Sequence, residues 1–128
     1  MEMTLNEYQQ KAMGTCMPSC ENFSYMFLNL VGEVGEFASK VAKHIRKDEA
    51  HIGSTQPERA GNSELYIDDA EGWQSMIELQ KEAGDILWQL SGLCKIMGWT
   101  LEEVAQQNLE KLASRQKRGV IDGNGDNR

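Results

Sequence analysis

The chain is short of several things, and each shortage excludes a class of protein. Its three cysteines, Cys16, Cys20 and Cys94, are too few for the disulfide framework on which small secreted domains rely. Cys16 and Cys20 have three residues between them, and no second cysteine pair answers them. Free, buried thiols are therefore expected, rather than a zinc site completed by His44 or His51. Basic residues are the minority: 13 Lys and Arg against 20 Asp and Glu leave a net charge of -7. That balance argues against a general nucleic-acid binder, which needs a cationic face to displace counterions from phosphates. No apolar run approaches the roughly 20 residues of a membrane span. The start from Glu2 to Gln10 is polar and acidic, unlike a signal peptide. The expectation is a cytoplasmic protein whose partners include neither a membrane nor a nucleic-acid polymer.

Aromatic residues are also scarce, at 7%, while Leu, Met, Ala, Glu, Gln and Lys abound, which favours helix over strand. At 128 residues, 1–128 reads as a single domain. Four helical stretches emerge. Thr4-Leu5-Asn6-Glu7 has the capping-box form and opens a helix to about Met13, before Gly14, Pro18 and Ser19 break the chain. A second helix spans about Phe23 to Arg46, with Phe27, Leu30, Val31, Val34, Phe37, Val41 and Ile45 as a core-facing stripe. Ser75 to Glu78 is a further capping box. The third helix after it places Leu79, Ala83, Ile86, Leu90, Leu93 and Met97 on one face and stops at Gly98. Thr100 to Glu103 opens a fourth helix through Leu101, Val104, Ala105, Leu109 and Leu112, with a basic end. Between the second and third helices, about 48–75 reads as an irregular insertion or flap, and about 119–128 as a flexible tail. Trp88 lies opposite its helix's main stripe, which predicts a second buried face, as at a subunit interface or a base-stacking wall.

Two acidic pairs share one spacing. Glu33/Glu36 and Glu82/Asp85 are each three residues apart, so each pair occupies one side of its helix. At about 100° per residue, both pairs fall on the flank of the apolar stripe, on the same rotational side. Antiparallel packing of the two stripes would make the four carboxylates converge. Such a cluster repels itself unless a cation neutralises it, and hard oxygen donors suit Mg²⁺ or, alternatively, Mn²⁺. The bland alternative is a pair of solvated faces, with Glu36 and Lys40 forming an ordinary i,i+4 ion pair. Gly35 and Gly84, each directly before the second acid of a pair, weigh against it, because a mid-helix glycine usually reflects close packing or a site.

Gly32-Glu33-Val34-Gly35-Glu36, followed by Glu82-Ala83-Gly84-Asp85-Ile86-Leu87-Trp88, resembles the all-α MazG-like nucleotide pyrophosphohydrolases, whose signature is Glu-Glu-x-x-Glu and then Glu-x-x-Asp. Asn108-Leu-Glu-Lys111-Leu-Ala-Ser-Arg115 is similar to the last helix of that family, and the Tyr8-Gln9 helix and the closing residues 123–128 are similar to recurrent features. The helical reading predicts an antiparallel bundle of about four helices, and 128 residues with two-sided apolar helices predict its assembly as a homodimer or homotetramer. The resemblance implies hydrolysis of a nucleoside triphosphate to the monophosphate and pyrophosphate with Mg²⁺. Carried over, Glu33, Glu36, Glu82 and Asp85 hold the metal, and Glu33 or Glu36 activates the water. Lys111 and Arg115 meet the phosphates, with Asn108 and Tyr8 as further substrate contacts. The chain departs from the signature at Gly32, which replaces the leading Glu, and in the length between the pairs. A dUTP, dCTP or phosphoribosyl-ATP pyrophosphatase would use a related arrangement, and a non-catalytic helical interaction module would use none of the chemistry.

Overall fold

A computed structural model describes residues 2–53, 63–69 and 73–123. Four helices carry most of these residues: α1 (Leu5–Met13), α2 (Phe23–Arg46), α3 (Trp73–Ile96) and α4 (Leu101–Arg118), with a 3-10 turn at Pro18–Cys20. The capping boxes at Thr4 and Thr100 form as the spacing predicts: each threonine hydroxyl accepts from a backbone N–H three residues on, and Glu7 or Glu103 answers it.

Three expectations need correction. The stretch 48–75 is not wholly irregular, because β1 (Ala50–Ile52) and β2 (Leu65–Ile67) pair antiparallel in the register Ala50↔Ile67, His51↔Tyr66, Ile52↔Leu65. Tyr66 and Ile67 are buried, which gives these three-residue strands an apolar anchor too short to register as a periodic pattern. The fold is thus mostly helical with a small two-stranded sheet, rather than all-α. Second, α3 begins at Trp73, and the Ser75 hydroxyl donates to Asp69 Oδ2 instead of capping the helix. Third, the apolar stripe of α2 is largely uncovered: Phe27, Val31, Val34 and Ile45 are exposed, and the buried residue of the helix, Met26, lies outside the stripe as read. The centre of the 48–75 stretch and residues 124–128 of the tail lie outside the described residues.

The chain divides into two compact units. One comprises Met1–Phe23 with Ser91–Arg128, the other Ser24–Leu90. In the first, the buried Gln9 side chain ties α1 to the α3–α4 turn. Its amide donates to Ser91 O at 3.1 Å and Trp99 O at 3.2 Å, and its oxygen accepts from Leu101 N–H at 3.1 Å. Asn6 beside it accepts from Glu102 N–H. The bonds to Leu101 and Glu102 satisfy two of the N–H groups that the start of α4 leaves without intrahelical partners. All three cysteines are free, but Cys94 alone is fully buried. In the second unit, α2, the hairpin and the first part of α3 lie together, and this unit carries the acidic pairs.

Helices α2, α3 and α4 stop in the same way. The residue after each last turn is left-handed: Asp48 (φ 58°), Gly98 (φ 78°) and Gly119 (φ 72°). The next N–H then reaches back five residues, Glu49 to His44 O, Trp99 to Cys94 O and Val120 to Arg115 O. This is the Schellman arrangement, and it brings the side chains of those two residues together. Glycine meets the left-handed requirement at two of the ends without steric cost, whereas Asp48 carries it at the third.

Candidate metal centre

Glu33 and Glu36 lie mid-way along α2, and Glu82 and Asp85 mid-way along α3, where helical geometry holds each side chain within one turn of its pair-mate. Glu33, Glu36 and Glu82 each offer a carboxylate oxygen, and these atoms all lie within 4.8 Å of one another. Asp85 joins them electrostatically. Burial first, then the charges of Asp85, Glu36 and Glu82, push the Glu33 carboxyl above its ordinary pKa. The Glu36–Lys40 ion pair of the bland alternative is not what forms; the ion pair crosses between helices, and Lys40 Nζ donates to Glu82 Oε1 at 2.7 Å. That bond raises the Lys40 pKa, with burial opposing and the charges of Glu82, Glu78 and Glu36 adding. Glu33 meets Asp85 while Lys40 meets Glu82, so numbers rise along α2 as they fall along α3. The two helices run antiparallel here, as the phasing of the stripes required.

The donor set fits a hard divalent cation. Three carboxylates converge with one lysine as the salt-bridge partner of Glu82, and burial together with the neighbouring charges raises the affinity of Glu33 for a proton. Beside Glu36, a shallow depression of about 480 Å³ runs along α2, lined by Lys40, Lys43 and Arg46 among others. A cationic wall next to a carboxylate cluster can take an anionic ligand that also bears a metal ion.

The glycines are not explained by packing. A Cβ built on Gly35 or Gly84 would meet nothing within 4 Å, and on Gly32 only Asn29 Oδ1 at 3.5 Å. The expectation of close packing at Gly35 and Gly84 is therefore corrected, and what remains is room beside the acids.

The other anticipated site residues belong to the first unit. Lys111 is exposed and lines a depression of about 270 Å³ together with Val104, Gln107 and Asn108. Arg115 is 4% exposed, near the C-terminal end of α4, and Tyr8 is half-buried on α1. Trp88, for which a second buried face was expected, is half-buried.

Sequence reasoning missed two things. It weighed Lys40 only as a partner of Glu36 on the same helix, although a lysine four residues past an acid can equally reach the neighbouring helix. It also missed a second cluster, His44, Glu49 and Asp69, whose ligand atoms lie within 4.8 Å of one another. Residues 44 and 49 share no helical or strand period, and Asp69 comes from beyond β2, so spacing carried no signal for this group.

Comparison with known proteins adds the following. The model of the MazG nucleotide pyrophosphohydrolase domain matches residues 21–120. The chain is 42% identical over 115 residues to the Gene 37 protein of Mycobacterium phage L5, covering 90% of this chain and 83% of the phage protein. No solved structure matches.

Proposed function

From the premise that the chain belongs to the MazG nucleotide pyrophosphohydrolase family, we propose that it hydrolyses a nucleoside triphosphate to the monophosphate and pyrophosphate. The observation that carries this reading is the convergence of Glu33, Glu36 and Glu82 from two helices, with Asp85 close enough to perturb Glu33. In it, Glu33, Glu36, Glu82 and Asp85 hold Mg²⁺ or Mn²⁺. The ion, when bound, neutralises charge on the triphosphate and fixes the line of attack.

The residues of the chain do the rest. Glu33, whose carboxyl is made more basic by burial and its acidic neighbours, or Glu36 beside it, orients the attacking water and accepts its proton. Lys111 and Arg115 bind the phosphate chain, and Asn108 and Tyr8 contact the nucleoside. Lys40, Lys43 and Arg46 give the depression beside Glu36 a positive wall for the same anion. The protein works as a homodimer or homotetramer in the cytoplasm. The assembly is supported by apolar side chains that one chain leaves open, such as Leu28 at 69% and Leu109 at 61% exposure. No helix among the described residues is long and apolar enough to cross a membrane.

The test is a panel of NTPs and dNTPs, with dUTP, dCTP and phosphoribosyl-ATP included, incubated with folded protein and Mg²⁺. Pyrophosphate release from one of them, in step with the monophosphate, is expected and identifies the base. Absence of pyrophosphate from all of them would overturn the enzymatic reading in favour of an interaction module. Sedimentation of the same preparation reads the assembly.

A further inference from the structure

We propose that His44, Glu49 and Asp69 form a second cation site, one that takes a transition-metal ion of the Zn²⁺ class and pins the β-hairpin to the end of α2. The site is separate from the acidic pairs. His44 lies eleven residues beyond Glu33 on α2, roughly 16 Å along the helix axis.

The chain-stop at Asp48 builds the first half. In a Schellman ending the two approximated side chains usually make an apolar contact, and at the end of α3 the two residues joined by the backbone bond, Cys94 and Trp99, are of that apolar type. At α2 the pair is His44 and Glu49, and His44 Nδ1 lies 3.0 Å from Glu49 Oε1. The hairpin builds the second half. Asp68 N–H donates to Glu49 O at 2.7 Å, which sets Asp69 next to the helix end with Oδ2 3.9 Å from His44 Nδ1. The Ser75 hydroxyl donates to that same oxygen and fixes the carboxylate, as an outer partner fixes a ligand.

One oxygen in this cluster is out of balance. The Asp69 side chain is 7% exposed, and its Oδ1 is buried with no hydrogen-bond partner among the described residues. A buried carboxylate oxygen without a donor lacks the compensation that such groups nearly always find, and a cation supplies it. The distances suit one. A tetrahedral ion with ligand bonds of 2.0–2.1 Å holds its ligands about 3.3 Å apart, and the distances from His44 Nδ1 to Glu49 Oε1, 3.0 Å, and to Oδ2 of the Asp69 carboxylate, 3.9 Å, lie on either side of that value. One imidazole with two carboxylates also selects differently from the all-oxygen set at Glu33, favouring Zn²⁺, Mn²⁺ or Co²⁺ over Mg²⁺. All three residues are half-buried, so remaining coordination positions stay open to water.

The test uses full-length protein stripped of metal, carrying Glu33→Gln and Glu82→Gln so that the acidic pairs cannot compete. Co²⁺ is the visible-absorption probe, Zn²⁺ the calorimetric one. We expect one ion per chain, with a Co²⁺ d–d band. His44→Asn and Asp69→Asn should each weaken binding at least about 100-fold, and His51→Asn should leave it unchanged. The wild-type chain provides a check that needs no variant: Zn²⁺ should shift the imidazole nitrogen resonances of His44 and spare those of His51. Lack of binding, binding indifferent to His44, or an unmoved His44 resonance overturns the site and leaves only an imidazole held between two carboxylates. None of these readouts depends on nucleotide hydrolysis, so their failure leaves the catalytic reading untouched.

Discussion

Two clusters of ligand-type side chains share the Ser24–Leu90 unit, and they are assembled by different means. Glu33, Glu36 and Glu82 sit in helix interiors, placed by the 3.6-residue period and by two helices lying antiparallel. His44, Glu49 and Asp69 sit where a helix ends and a hairpin returns, placed by one left-handed residue and a strand register. The first group brings like charges together, with one cross-helix lysine on Glu82. The second already sets an imidazole between its carboxylates. A cluster of like charges costs stability until a ligand arrives, whereas a mixed cluster holds structure with or without one. On the proposed reading, the contrast separates a place built for chemistry from one built for position.

The largest effect should come from the first group. Glu82→Gln is expected to lower kcat/KM for pyrophosphate release by about 100-fold or more, near 2.7 kcal/mol, while circular dichroism stays that of the native fold. A variant retaining full activity would remove Glu82 from the chemistry and erase the contrast. The second group should answer in stability. Asp48→Val puts a β-branched side chain at φ 58° and should cost about 1–2 kcal/mol in urea unfolding, whereas Asp48→Gly should cost nothing. Equal tolerance of valine and glycine would mean that the helix end does not depend on this turn.

Smaller changes sharpen the comparison. Gly35→Ala meets open space, so it should raise the stability of the metal-free protein by about 0.5–1 kcal/mol. If pyrophosphate release falls in the same variant, the glycine serves the site rather than the helix. The smallest effect is one of pH. Glu33 holds its proton more tightly folded than unfolded, so its contribution is fully present below the ordinary glutamate range and is lost as pH rises through its raised value. In chelator, wild type should therefore lose ground to Glu33→Gln as pH increases. Urea midpoints across a pH series measure it, and a flat difference would show that the acids do not feel one another.

The same comparison explains what could be read from the residues. The bounds of α1, α2 and α4 follow from capping boxes and apolar period, and the Glu33–Glu82 convergence follows from phasing, because a helix turns a linear spacing into a direction. The hairpin was not legible, since two strands of three residues carry too little alternation, and with it went Asp69. The apolar stripe of α2 misled for another reason: periodicity marks which side of a helix avoids water without saying what covers it, and Val31 and Val34 stay exposed in the chain.

Gln9 carries a consequence for how the chain is made. Its bonds reach Ser91, Trp99 and Leu101, sequence separations of 82, 90 and 92 residues. At the usual 5–20 residues per second of synthesis, Ser91 is added roughly 4–16 s after Gln9. The α1 segment therefore waits through that interval with the partners of its one buried amide still unmade, while Ser24–Leu90 emerges as one unbroken stretch and can close on itself first. Through a single glutamine, the seating of α1 is tied to residues that the ribosome adds some ninety positions later.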